Sequence, residues 1–257
     1  MKKFFALLLA TLMVVALAAC SGSTSAETKT FTVGFDQDFP PYGYVENGEF
    51  AGFDLDLARE VAARNGWTIQ LTPINWDAKD FELDSGAIDC IWNGFTMNGR
   101  EDAYTWSKPY IDNSQVIVVR KDSGISTFDD LAGKVVAVQT DSSAQAALNS
   151  DDCADLAASF AKTLTFAEYN TAFMELEAGS VDAIAMDIGV ANYQVAGRED
   201  QFVILDQTLV AEQYGIGFKL GNTALRDTVQ KTYDAMLADG TVAKLAEKYG
   251  LSDCVID

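Results

Sequence analysis

Short strand-like segments alternate with helix-like segments along most of this chain. Residues 31–35 read as a strand, and residues 54–65 read as a helix because their apolar side chains recur at helical spacing. Further strands are predicted at residues 67–71, 88–92, 115–119, 135–138, 164–166, 181–186, 202–205 and 214–218, and further helices at residues 143–148, 171–178, 189–195, 223–237 and 241–249. Strands that alternate with helices pack as layers, so the sequence predicts an α/β fold.

One six-residue pattern occurs twice. GAIDCI (residues 86–91) and GSVDAI (residues 179–184) both read glycine, small residue, β-branched residue, aspartate, small residue and isoleucine. Each follows a helix-like segment and opens a strand, and 257 residues suffice for two domains of ordinary size. Two α/β halves are the simplest account. Asp89 and Asp182 open strands inside the halves, so we expect both to be structural.

The residues that follow the two copies are polar. The first copy leads to Asn93, Gly94, Phe95 and Thr96 and then to Arg100, and the second leads to Asp187. In open α/β sheets, ligands collect beyond the carboxyl ends of the strands. One half therefore offers a guanidinium and a hydroxyl, and the other offers a carboxylate. A cleft between them would suit a zwitterion.

Two other strand ends add candidates. Gln139 and Thr140 lead into Ser142 and Ser143, which open a helix whose first N–H groups would be free to hold an anion such as an amino-acid carboxylate. The first strand runs into Asp36 and Phe39, in a loop stiffened by two prolines. Tyr42 and Tyr44 in the same loop are expected to pack the loop itself.

Composition excludes several function classes. The chain has no histidine, which rules out histidine metal sites, Ser-His-Asp triads and histidine general bases. Its formal charge of −20 and the absence of a Lys/Arg cluster exclude nucleic acid as a partner. We expect no metal and no cofactor. Cys90 is expected to be a buried thiol, and a disulfide between Cys153 and Cys254 stays open.

The first twenty residues form an export signal. Lys2 and Lys3 precede an apolar run over residues 4–19, which is too short for a transmembrane helix of about 20 residues and stops at two alanines and Cys20. The Leu-Ala-Ala-Cys ending resembles a bacterial lipobox, in which the signal is cut before the cysteine and the thiol carries lipid. The alternative is a plain signal peptide. Residues 21–30 would be a flexible tether, and the mature domain would lie outside the cytoplasm, held to the cell membrane by its lipid alone.

Seven segments, in order, resemble the bacterial extracellular solute-binding proteins for polar amino acids, the ligand-capturing components of ABC importers. They are VGFDQDFPPYGY, GEFAGFDLDLAREVA, SGAIDCIWNGFTMNGRE with SKPY, TFDDLAGKVVAVQTDSS, GSVDAIAMD, YGIGF and LADGTVAKLAEKYG. The resemblance implies two α/β lobes joined by two crossovers that close on ligand like a flytrap. The crossovers are expected near Val119-Arg120 and residues 206–210, with lobe 1 at residues 31–118, lobe 2 at 119–208 and a return segment to lobe 1 at 209–257.

The same resemblance implies roles for individual residues. Arg100 would clamp the ligand α-carboxylate, with the Thr96 hydroxyl beside it and the helix start at Ser142 and Ser143 supplying N–H groups. Asp187 would pair with the α-ammonium. The candidate ligand-binding residues are Asp36, Phe39, Trp76, Asn93, Gly94, Phe95, Thr96, Arg100, Gln139, Thr140, Ser142, Ser143 and Asp187.

The remaining roles concern the ligand backbone and side chain. Asn93 and Gly94 lie on the strand end whose carbonyls assist the ammonium in this family. Phe39 and Trp76 would sandwich the ligand side chain, and Asp36 and Gln139 would read its chemistry.

The segment before Arg100 departs from the family pattern. Between Thr96 and Arg100 this chain has one residue fewer than is usual, and Gly99 stands where a charged residue is common. We therefore expect Arg100 to reach the carboxylate through an altered turn.

The function implied is capture of a free polar L-amino acid by a monomeric, non-enzymatic protein that delivers it to an ABC permease. Asp36, with Asp38 nearby, argues against acidic ligands because like charges would meet. Neutral polar or cationic side chains fit better, and glutamine, arginine, lysine and cystine stay open. The alternatives are a lipoprotein ligand sensor for a membrane receptor and, on the same scaffold, a dehydratase with a carboxylate base.

Overall fold

The computed structural model describes residues 28–256, so the predicted export signal and Cys20 lie outside the described residues. The strands are β1 (Thr30–Phe35), β2 (Asp38–Phe39), β3 (Gly43–Glu46), β4 (Glu49–Ala51), β5 (Thr68–Pro73), β6 (Cys90–Ile91), β7 (Thr105–Trp106), β8 (Ile111–Arg120), β9 (Val135–Gln139), β10 (Lys162–Phe166), β11 (Ala183–Asp187), β12 (Phe202–Tyr214) and β13 (Gly217–Phe218). The α-helices are α1 (Phe53–Arg64), α2 (Lys79–Ser85), α3 (Ser143–Leu148), α4 (Ala154–Ser159), α5 (Tyr169–Ala178), α6 (Ile188–Val195), α7 (Thr223–Ala238) and α8 (Thr241–Tyr249).

Two five-stranded sheets define two lobes. The first lobe contains the sheet β5-β1-β6-β13-β7, and the second contains the sheet β10-β9-β11-β8-β12. A small antiparallel sheet of β2, β3 and β4 follows the first strand. Helix α1 packs on β5 and against α7 and α8, so the end of the chain completes the first lobe. The predicted two-lobed α/β fold is confirmed.

The repeated six-residue pattern has the same structural role in both lobes. Gly86 and Gly179 end the preceding helices in the left-handed conformation, with φ of 79° and 78°. Asp89 then exchanges two 2.8 Å hydrogen bonds with the backbone of Thr32, and Asp182 does so with Val135. Each aspartate thus fixes the start of its strand beside a neighbouring parallel strand, which is the structural role expected of both.

The two strands that contain the predicted crossovers, β8 and β12, both pair within the second sheet. Val119 pairs with Ala183 inside the second sheet, and β12 spans residues 206–210 with shifts in its register against β8. The chain passes between the sheets at residues 107–110 and 215–216. The lobe boundaries at residues 118 and 208 stay predictions, because sequence shows where a strand forms, whereas the sheet to which it belongs depends on its pairing partner.

The two lobes touch across the cleft. The side-chain amide of Gln139 in the second lobe donates a 2.6 Å hydrogen bond to Asp36 of the first lobe. Lys79, which is 2% exposed, forms an ion pair with Asp141 of the second lobe. These contacts place the polar ends of both sheets face to face.

Two expectations about the chain as a whole concern cysteines and membranes. Cys90, Cys153 and Cys254 all carry free thiols, so no disulfide joins the described cysteines. No helix within residues 28–256 combines the length and the apolar composition needed to cross a membrane.

Asp54 anchors the first lobe to the cleft. Its carboxylate is fully buried at the start of α1 and accepts hydrogen bonds from the backbone N–H of Gly94 (2.6 Å) and the hydroxyl of Tyr110 (2.8 Å). The second oxygen, Oδ1, has no hydrogen-bond partner. Burial raises the pKa of Asp54 from 3.8 to about 7, against partial opposition from these two hydrogen bonds.

We predict that Asp54→Asn flattens part of the pH dependence of stability. Between about pH 4 and pH 7 the folded protein holds a proton on Asp54 that the unfolded chain lacks, so the free energy of unfolding falls as pH rises through this window. This group contributes at most about 1.4 kcal/mol per pH unit to that decline. Urea titrations at pH 4 to 7 should show a shallower decline for the variant. An exposed control, Asp122→Asn, should keep the wild-type slope, and an unchanged slope in Asp54→Asn would contradict the assignment.

Candidate functional site

A small cavity, partly open to solvent, lies between the lobes. Its lining residues are Phe39, Trp76, Asn93, Gly94, Thr96 and Arg100 from the first lobe and Gln139, Ser142, Ser143 and Asp187 from the second. Every one of them is among the thirteen sequence-based candidates, so the structure brings ten of those candidates together around one space.

Asp187 forms the acidic end of this cavity. It ends β11 and is 4% exposed. Its Oδ1 accepts hydrogen bonds from the side-chain amides of Asn113 (2.8 Å) and Gln115 (2.6 Å) and from the hydroxyl of Tyr214 (2.6 Å). Burial and, next, the charge of Glu212 raise the pKa of Asp187 to about 7. A positively charged group in the cavity would stabilise the ionised form.

Glu212 is a buried carboxylate that the sequence analysis missed. Its Oε1 accepts hydrogen bonds from the hydroxyl of Thr96 (2.8 Å) and the amides of Asn113 (2.6 Å) and Gln115 (2.7 Å). Its Oε2 accepts the hydroxyl of Ser143. Glu212 lies two residues before the buried Tyr214 on β12, so the period-two alternation of the strand was the signal that could have found it.

Arg100 forms the basic end of the cavity. Its guanidinium lies 5.4 Å from the ring centre of Phe95 and donates to the backbone carbonyl of Thr96 (3.2 Å). The shortened loop forms a tight turn, in which the Arg100 N–H bonds to the Met97 carbonyl at 2.9 Å and Gly99 takes a φ of 77°. Glycine at this position is what allows the turn, and the altered path still brings Arg100 to the cavity.

The side-chain amide of Asn93 lies on the wall of the cavity without a hydrogen-bond partner. Its side chain is 1% exposed, and neither its Nδ2 nor its Oδ1 has a hydrogen-bond partner. Buried polar groups are nearly always paired, so an unpaired amide on a cavity wall points to a polar occupant.

Ser142 caps helix α3 on the same wall. Its hydroxyl oxygen accepts the backbone N–H of Gln145 at 3.1 Å, and the helix therefore begins at the cavity. Phe39 and Trp76 supply the aromatic surfaces of the cavity.

Phe95 does not line the cavity. It is fully buried, with its ring 5.4 Å from Trp76, 5.0 Å from Tyr104 and 4.8 Å from Trp106. The edge-to-face contact of its ring supports Trp76, and the guanidinium of Arg100 stacks over the same ring. The strand-end position could not distinguish this supporting role from direct exposure to the cavity.

Asp36 and Thr140 line a second, wider cavity beside the first, with an empty volume of about 1080 Å³. Among the described residues that line it, none is basic and five are acidic, namely Asp36, Asp38, Asp77, Glu82 and Glu168. Burial raises the pKa of Asp36 to about 6, partly offset by hydrogen bonds from the Asp38 N–H and from Gln139. Trp76 lines both cavities, so the wider space is a continuation of the cleft with a negative wall.

No group of three or more acidic, histidine or cysteine side chains within residues 28–256 is arranged to hold a metal ion. The side chains that line the cavity offer charge pairing and hydrogen bonding. A guanidinium, a carboxylate and an unpaired amide that line the same cavity match a small zwitterion.

Comparisons with known proteins bear on this geometry. A family model described as "Bacterial extracellular solute-binding proteins, family 3" matches residues 31–252. The L-cystine-binding protein TcyJ of Escherichia coli (strain K12) is 29% identical over 227 residues, which cover 87% of this chain and 83% of TcyJ. The arginine-binding extracellular protein ArtP of Bacillus subtilis (strain 168) is 28% identical over 256 residues, covering 97% of this chain and 98% of ArtP.

A solved structure agrees with these sequence relatives. The substrate-binding protein of an ABC uptake transporter from Streptococcus pneumoniae, crystallised with bound histidine, superposes with a TM-score of 0.82 and 30% identity. The match covers 86% of this chain and 92% of that chain. The two-lobed fold therefore has a direct structural counterpart.

Proposed function

Because the chain belongs to the bacterial extracellular solute-binding proteins, family 3, we propose that it captures a polar L-amino acid between its lobes and delivers it to an ABC importer. The observation that carries the proposal is the cavity between the lobes that both Arg100 and Asp187 line. The sequence relatives are binding proteins for cystine and arginine, and the structural relative holds histidine.

The α-carboxylate is assigned to Arg100. A guanidinium offers a planar fork of donors that matches a carboxylate. The backbone N–H groups at Ser142 and Ser143, at the start of α3, complete the carboxylate site from the other lobe. The α-ammonium is assigned to Asp187, whose three hydrogen bonds all go to Oδ1. Oδ2 is thus the oxygen left for the ligand.

The ligand side chain would lie between Phe39 and Trp76 and extend toward Asp36 and Gln139. The wider cavity beyond has an acidic wall, which repels a side-chain carboxylate and favours a neutral polar or cationic group. Arginine and histidine, two of the ligands named for the relatives, meet this condition, whereas the far half of cystine carries a carboxylate as well as an ammonium.

The remaining parts of the proposal concern cellular context. We infer a monomeric, non-enzymatic binding protein, since the relatives named above are binding proteins. The Leu-Ala-Ala-Cys ending of the export signal supports a lipid on Cys20 and attachment to the outer side of the cell membrane. A separate ABC permease would receive the ligand.

The proposal predicts that a free L-amino acid stabilises the mature domain. A ligand at about 100 times its dissociation constant adds about 2.7 kcal/mol to the free energy of unfolding. A thermal-shift screen of the standard L-amino acids and L-cystine should therefore yield at least one clear rise in Tm. Nα-acetylation of that amino acid should abolish the rise because it removes the ammonium charge. No shift with any of them would overturn the proposed function, and equal binding of the acetylated form would remove Asp187 from its assigned role.

Arg100→Ala should weaken binding of that amino acid strongly. Removing one partner of a buried, hydrogen-bonded charge pair costs about 2–5 kcal/mol, which corresponds to at least ~30-fold in affinity. Calorimetry measures the change. The matched control is Arg64→Ala, which removes a surface guanidinium paired with Glu60 and Asp239 away from the cavity and should leave affinity unchanged. Near-native affinity in Arg100→Ala would move the carboxylate to another group.

Gly189→Ala should hinder closure of the lobes. Gly189 lies in α6 of the second lobe, and an added Cβ would collide with the Tyr42 hydroxyl of the first lobe and lie 3.0 Å from its Cζ. Overpacking of this kind costs about 1–3 kcal/mol. The variant should bind the amino acid more weakly and keep a larger radius of gyration in solution scattering at saturating ligand. The ligand-free Tm should not fall, since alanine is the better helix former.

A second variant, Tyr42→Phe, tests whether the collision with the Tyr42 hydroxyl causes the loss of affinity. It removes the colliding hydroxyl, so Tyr42→Phe combined with Gly189→Ala should recover much of the lost affinity. A double variant as weak as Gly189→Ala alone would show that the effect arises within the second lobe.

A further inference from the structure

The hydroxyls of Thr96 and Ser143 both donate to Glu212, and this determines what they can offer a ligand. A serine or threonine hydroxyl carries one hydrogen and two acceptor lone pairs, and a carboxylate only accepts. The Thr96 hydroxyl lies 2.8 Å from Glu212 Oε1, and the Ser143 hydroxyl bonds Oε2. Each hydroxyl has therefore committed its hydrogen to Glu212. Both residues line the cavity, so the lone pairs are what remains for an occupant.

The side-chain N–H groups of Asn113 and Gln115 also donate to Asp187 and Glu212. The Asn113 amide is shared between Asp187 Oδ1 (2.8 Å) and Glu212 Oε1 (2.6 Å). The Gln115 amide is shared between the same two oxygens, at 2.6 Å and 2.7 Å. The carbonyl oxygens Asn113 Oδ1 and Gln115 Oε1 are buried without a partner. No N–H of these two amides is left over, so this end of the cavity presents acceptors.

We propose that Glu212 is a positioning residue that turns the hydroxyls of Thr96 and Ser143 into acceptors and so makes the Asp187 end of the cavity select a primary ammonium group. Asp187, Thr96 and Ser143 supply three acceptor groups, which match the three N–H bonds of a primary ammonium. The Thr96 hydroxyl then serves the ammonium, whereas the sequence had placed it beside the carboxylate. This inference rests on the proposed function, since it concerns the ammonium of the captured amino acid.

The arrangement also depends on both lobes. Thr96 belongs to the first lobe, Ser143 and Asp187 belong to the second, and Glu212 lies on β12 opposite Asn113 of β8, next to the crossovers. Glu212 can hold both hydroxyls only when the lobes are in contact. The acceptor set is therefore complete in the closed arrangement.

The test compares a free amino acid with its Nα-methyl derivative in the wild type and in Glu212→Gln. The wild type is first screened with the standard L-amino acids and L-cystine, and the amino acid that binds is then used with its Nα-methyl form. A methylated ammonium has two N–H bonds, so it leaves one acceptor unpaired. We expect the wild type to prefer the free amino acid by at least about tenfold, given the strength of hydrogen bonds to charged groups.

Glu212→Gln should weaken the free amino acid at least about tenfold and reduce the preference over the methylated form at least about fivefold. The glutamine amide donates to one of the hydroxyls and turns that hydroxyl's hydrogen toward the cavity. The matched control is Asp182→Asn, an acid-to-amide change at a backbone contact of the second lobe, which should leave the preference unchanged. Equal weakening of both ligands by Glu212→Gln would overturn the proposal, because a purely structural role predicts that result.

A double-mutant cycle separates hydroxyl orientation from charge. In a Thr96→Val, Ser143→Ala background, Glu212→Gln should change the preference less than about twofold, because the hydroxyls through which it acts are gone. A full effect in that background would mean that Glu212 acts by its charge alone and would overturn the proposal. Should Glu212→Gln not fold, Thr96→Val and Ser143→Ala singly decide the matter, since each must lower the preference for the primary ammonium. A wild type that binds no amino acid overturns the proposed function itself.

Discussion

The structure depends on one buried interaction, the clamp in which Asn113 and Gln115 hold the carboxylates of Asp187 and Glu212. The two acids lie on different strands, β11 and β12, on either side of β8, which carries both amides. Two buried carboxylates repel each other, and each alone would be costly to desolvate. The amides offset part of that cost by giving hydrogen bonds to both. The amides carry no net charge, so the negative charge of the two carboxylates remains and favours binding of a cation at this end of the cleft.

The repeated pattern explains how the clamp comes to face Arg100. Asp89 and Asp182 fix the starts of β6 and β11 in the same way, so the two strands deliver their next residues to equivalent edges of the two sheets. The first lobe then places Asn93, Gly94 and Thr96 at its edge, and the second places Asp187 at its own. The facing edges of the two sheets thus bring the guanidinium of Arg100 and the carboxylate of Asp187 to one cavity.

Much of the cavity could be read from sequence because strand ends are local features. Arg100 and Asp187 follow recognisable strands, and a residue just beyond a parallel strand lies at the edge where ligands collect. Phe95 and Glu212 show the limit of that argument. Phe95 follows the same strand end as Thr96 but turns into the cluster of Trp76, Tyr104 and Trp106, and Glu212 lies within a long strand whose pairing partner decides what it faces.

The sequence by itself determined the α/β class, the two halves, the polar strand ends and the glycine that the shortened turn needs, because each follows from residues that are neighbours along the chain. The tertiary structure alone decided that the crossovers lie at residues 107–110 and 215–216, that Phe95 is a support, and that Glu212 joins Thr96 to Ser143. The hydrogen bond from Thr96 to Glu212 spans 116 positions of the chain. Contacts over such separations arise from the way the lobes pack, which local propensity does not encode.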